Sequence, residues 1–174
     1  MSNCKNHPLI GNFFFFILGA WFIATIFIDF FAVIAVFKNV SSIFEAGQVG
    51  MYVFTSFNKF EFIFSIILVA LSFLYGHPCK KINWTGKTIS IILFLLAGYY
   101  LFFLNPTISA LTIQMHEVGI GNVGYETLEQ THQVFHKRYI SLDSIKLLLL
   151  VVQIIFVTLT TLKLNNQKTQ GVSS

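Results

Sequence analysis

Asp29, Glu61, Asp143 and Lys146 stand within otherwise apolar stretches of this 174-residue chain. An ionisable group at hydrocarbon depth is costly, so it faces a bundle interior or a water-filled cavity and marks a candidate site. Asp143 and Lys146 are spaced i, i+3, close enough to pair on one helix. Asp29 lies nine residues before Lys38, and Lys146 lies eight residues after Arg138. At 1.5 Å per residue both sit roughly 12–13 Å below the same surface. The matching depths predict an ion pair between Asp29 and Lys146, with Asp143 as a second partner for the lysine. Asn58, Lys59 and Glu61 add to the cluster from another segment. For Lys59 and Glu61 a competing reading is that their long stems carry the charge back to the interface.

A polar stripe runs through the last helical segment. His132, His136, Tyr139, Asp143 and Lys146 fall on one face at 100° per residue. His132 and His136 at i, i+4 have the spacing that lets two imidazoles share a metal ion. His116 is a third candidate ligand, and Glu117, Glu126 or Glu129 are able to complete a set. Neutral imidazole is the commonest metal ligand, so a metal ion or haem is the cofactor to test. A bilayer haem takes axial histidines from two helices, and the first three apolar runs contain none. Interfacial hydrogen bonding is the plainer role for these rings.

Four apolar runs must position these groups. Hydrophobic residues make up 55% of the chain and charged residues 10%, against about 25% charged in a soluble domain. The mean hydropathy is +0.74. A bilayer core about 30 Å thick takes about 20 helical residues, and runs of that length recur. The expected fold is an all-α integral membrane four-helix bundle, one domain over residues 1–164, with a polar tail over 165–174. The helices are expected at about 13–37, 56–75, 88–104 and 140–162. Pro106 should stop the third helix or kink it toward His116, since proline lacks the N–H and crowds the preceding turn.

Lys5, Lys80, Lys81, Lys87, Lys163 and Lys168 fall on one side of this topology. Lys38, Lys137 and Arg138 fall on the other, with Glu45, Glu117, Glu126 and Glu129. The lysine and arginine bias points to both termini in the cytoplasm, with a bacterial inner membrane as the location. Cys4 and Cys79 then face a reducing compartment, where a disulfide is not expected. The net charge of +4 is spread along the flanks of the runs, a distribution that does not suggest nucleic acid. The expected partners are lipid and a second copy of the chain, since Gly19, Ala20 and Ala24 permit close helix approach.

Three short motifs carry a family resemblance: Gly19-Ala20-Trp21 in the first helix, Asn105-Pro106-Thr107 at the end of the third, and Phe135-His136 with Asp143 seven residues on. Their order and spacing resemble the transmembrane-protein-205-like family, whose bacterial members form a domain of unknown function. The resemblance covers about Phe13 to Leu162. It implies a four-helix membrane fold in which Gly19, Ala20, Trp21 and Pro106 serve helix packing. The chain departs from the family pattern at Asp143, where asparagine is more usual, and at Tyr139, often serine. The family is similar in outline to copper-resistance-D-like membrane proteins and to four-helix protoporphyrinogen oxidases, which implies a metal or tetrapyrrole as a ligand to consider.

No nucleophile–base constellation or phosphate-cradling loop is present in the sequence, so the reading leans away from an enzyme. It favours a polar pocket in the outer half of the bundle, lined by Asp29, Glu61, His136, Tyr139, Asp143 and Lys146, that binds or passes a small ligand or ion. The alternatives are a metal- or haem-binding redox protein using His132, His136 and His116, and a structural assembly factor in which the polar groups only join helices.

Overall fold

The computed structural model describes residues 8–74 and 80–172. They form four helical spans long and apolar enough to cross a membrane: Leu9–Asn39, Phe44–Leu74, Trp84–Val118 and Tyr125–Leu162. Each exceeds the roughly 20 residues that a bilayer requires. No strand occurs among the described residues. Cys4, Lys5 and Cys79 lie outside the described residues.

The first span is α1 (Pro8–Phe27), a π-helical turn (Ile28–Ala32) and α2 (Val33–Asn39). The second is α3 (Ile43–Leu74). The third is α4 (Lys80–Tyr99), a second π-helical turn (Tyr100–Leu104) and α5 (Asn105–Val118), and the fourth is the single helix α6 (Tyr125–Val172). The first span packs on the second and fourth, and the third packs on the same two, closing a four-membered bundle.

Helix ends extend beyond the expected limits. The second helix begins at Ile43, not near residue 56, because Ser42 caps it: the Glu45 amide donates to Ser42 Oγ at 3.1 Å, and Ser41 Oγ donates to the Glu45 carboxylate at 3.1 Å. A serine followed three residues later by glutamate is an N-terminal capping signature. Pro106 neither stops the third span nor ends it at Leu104. The π-turn takes up the missing donor by one extra residue, with the Asn105 amide bonding back to the Tyr100 carbonyl. The helix then runs on to Val118, where Gly119 at φ 75° ends it. The fourth helix is continuous from Tyr125, and the backbone over 165–172, expected as a frayed tail, is helical.

The core divides into two apolar layers. Phe14, Leu18 and Trp21 of the first span meet Leu68, Leu93, Leu150 and Val157 in the larger one. Tyr100, Leu104 and Tyr139 form the smaller one toward the end where the spans join through residues 40–42 and 119–124. Large side chains such as Phe16, Ile23, Phe60, Leu95 and Leu148 are exposed on the outside of the bundle, as a hydrocarbon solvent permits. Trp21 is buried in the core. Gly19 is not, for nothing lies within 4 Å of where its Cβ would stand.

Candidate functional site

Between the two apolar layers lies a polar one. On the first span Phe14, Leu18, Trp21, Thr25 and Asp29 follow one another at three- or four-residue intervals, so they share the inward face. The second span brings Asn58 and Glu61, the third Tyr100, and the fourth Tyr139, Asp143 and Lys146. Lys59, next to Glu61, points outward and is exposed, consistent with a lysine reaching for the interface. Glu61 does the opposite and is fully buried.

Glu61 Oε1 is the hub. It accepts from Trp21 Nε1 at 2.8 Å, from Lys146 Nζ at 2.6 Å and from Thr25 Oγ at 3.3 Å. Lys146 Nζ also meets Asp143 Oδ1 at 2.5 Å, as an ion pair and not as a well-directed hydrogen bond. The ammonium lies 5.2 Å from the Tyr100 ring centre and 5.9 Å from that of Phe57, where ring quadrupoles favour a cation. Tyr139 donates to Asn58 Oδ1 at 3.3 Å. Glu61 Oε2, Asn58 Nδ2, Tyr100 OH and Asp29 Oδ2 are buried without a hydrogen-bond partner.

The predicted Asp29–Lys146 pair is corrected. The lysine takes Glu61 and Asp143 as its carboxylates, and Asp29 lies against Asp143 instead. Residue spacing gives only the position along a helix; the direction around it decides the partner, and Glu61 on the second span reaches Lys146 directly.

Past Asp29 no residue of α2 is buried. The first span parts from the fourth there while α2 stays against α3, and a cavity of about 1000 Å³ opens toward the end of the bundle. Its floor is Asp29, Tyr139 and Asp143, with Asn105 beside them. Asn105 is held by a 2.8 Å bond from its side-chain amide to Thr55 Oγ. Phe30, Phe37, Phe44 and Phe54 supply apolar wall, and His116, His132 and His136 also border the space. Gly47 and Gly50 leave room in it. A Cβ on Gly50 would meet nothing within 4 Å. Of the six expected pocket residues, Asp29, His136, Tyr139 and Asp143 line the cavity. Glu61 and Lys146 do not: they are fully buried in the layer behind its floor.

The expected histidine site is not assembled. His132 and His136 stack in parallel with ring centres 6.0 Å apart. His116 is stacked on Phe44 at 3.4 Å. Among the described residues no three His, Cys, Asp or Glu side chains are grouped to hold a metal ion. The sequence reading missed the roles of Trp21 and Thr25 as donors to Glu61 and of Tyr100 as a wall for Lys146. The four-residue step from Trp21 to Thr25 to Asp29 was the available signal. No family model, curated protein or solved structure matches the chain.

Proposed function

We propose that this chain is a non-enzymatic multi-pass protein of the bacterial inner membrane, with both termini cytoplasmic, whose outer cavity binds or passes a small ligand. The observation that carries the reading is the cavity itself, about 1000 Å³, a size that suits small-molecule sites of roughly 300–1,000 Å³. It is mostly apolar and closes on a few convergent polar groups, Asp29, Tyr139 and Asp143. Lysine distribution supports the orientation. Of the motifs that resemble the transmembrane-protein-205-like family, Asn105, His136 and Asp143 line the space, and Trp21 bonds Glu61 in the layer behind it. The open face at Gly19 supports association of two copies through the first span.

A cluster that only joined helices would need no void beside it, because interiors pack to high density. The test is binding of neutral dansyl amide to protein in phosphatidylcholine nanodiscs, read as fluorescence enhancement over empty nanodiscs. Wild type should bind saturably. Gly50→Trp, which places an indole in the empty space, should not. Equal signals from the two proteins would refute the reading.

A further inference from the structure

The charge balance at the cavity floor assigns a ligand class. Asp29, Glu61 and Asp143 are three carboxylates; among the described residues Lys146 is the ammonium paired with Glu61 and Asp143, and Asp29 lies against Asp143. Lys146 is committed on the inner side, to Glu61 and Asp143. What the cavity meets is the outer side of the layer, Asp29 and Asp143. Two carboxylates in contact disfavour each other's charge, and a cation set between them relieves that repulsion. Farther up, the wall is aromatic, with Phe30 and Phe54 beside the floor and Phe37 and Phe44 above it, and such faces attract organic cations. Among the described residues no lysine or arginine lines the cavity.

We propose that the cavity binds amphiphilic organic cations, with an ammonium group set between Asp29 and Asp143 and an apolar body against the phenylalanine wall. This assignment rests on the binding reading above and makes it specific. An ammonium adds donors at a floor whose carboxylates are acceptors, while the Tyr139 hydroxyl already donates to Asn58 and the Asn105 amide to Thr55. An anionic ligand of the same shape would meet the carboxylates of the floor directly.

Three probes with one fluorophore separate the outcomes: dansylcadaverine carries an ammonium, dansyl amide is neutral and dansylglycine carries a carboxylate. Binding is measured in phosphatidylcholine nanodiscs, whose lipid has no net charge. Hydrogen bonds to charged groups predict that dansylcadaverine binds roughly tenfold or more tightly than dansyl amide, and that dansylglycine binds more weakly than either. Asp29→Asn should remove most of the preference for the cation over dansyl amide. Equal affinities for the three probes in wild type, or a preference for dansylglycine, would overturn the cation assignment and leave the cavity reading standing. No saturable binding of any probe would overturn both. The wild-type series decides the question even if Asp29→Asn does not fold.

Discussion

Replacing Lys146 with methionine keeps the length of the side chain and removes its charge from between two carboxylates. The ammonium is 2.6 Å from Glu61 and 2.5 Å from Asp143, with side-chain exposure of 1% for the lysine, 0% for Glu61 and 11% for Asp143. Breaking a buried ion pair by removing one partner costs about 3–5 kcal/mol, because the other charge is stranded. Here two carboxylates lose their counterion, and Asp29 lies beside them, so we expect the upper end, about 5 kcal/mol. Glu61→Leu alone should cost less, about 3 kcal/mol, since Lys146 keeps Asp143. The double variant removes both halves of the pair. It should be less destabilised than the sum of the single variants by at least about 2 kcal/mol. The assay is reversible unfolding in mixed micelles of dodecyl sulfate and a mild detergent, followed by far-ultraviolet circular dichroism. Additivity within about 0.5 kcal/mol would show that the two side chains do not interact, and the hub described above would be wrong.

Other substitutions test separate parts of the structure. Trp21→Phe removes the indole donor to Glu61 and should cost about 1.5–3 kcal/mol in the same assay; a neutral result would remove Trp21 from the hub. Gln153→Leu should change stability by less than about 1 kcal/mol, because its Nε2 bonds to Gly86 O and Ser90 Oγ are long, at 3.2 and 3.4 Å, and its Oε1 is buried without a partner. A loss above about 2 kcal/mol would mean that this amide has partners beyond those two. Gly86→Val should destabilise more than Gly98→Ala: a Cβ at Gly86 would lie 3.1 Å from the Phe156 ring, whereas at Gly98 the nearest atom is at 3.6 Å, and tight sites resist added volume. Thermal unfolding of the two proteins ranks them, and the reverse order would refute the packing described between the third and fourth spans.

Much of the fold can be read in the sequence, for a physical reason. Hydrocarbon length is a property of composition, so four apolar runs reveal four spans without any knowledge of contacts. Their ends are harder. The polar and glycine-bearing stretch from Glu45 to Thr55 reads as connector by hydropathy, yet Ser42 and Glu45 cap it as helix. Pro106 reads as a stop or as a kink toward His116, and the π-turn before it shifts the hydrogen-bond register and lets the helix continue past His116. In the site, Asp143 and Lys146 are legible because i, i+3 spacing is local. The Glu61–Lys146 bond, which joins residues 85 apart, is not: equal depth leaves the rotation of each helix open, and tertiary packing sets it. The cavity follows from where the first span diverges, at Asp29, and no residue type announces that divergence.

The most direct test of the central claim is whether water-borne reagents reach the cavity, and from which face. In a background with Cys4 and Cys79 replaced by serine, Gly50→Cys places a thiol in the open space and Ala97→Cys places one in the closed core. Sealed right-side-out vesicles are treated with a charged, membrane-impermeant methanethiosulfonate, and labelling is read by mass. The account predicts rapid modification at position 50 from outside, slowed by dansylcadaverine, and none at position 97. Equal protection of both thiols would contradict an outward-facing binding cavity.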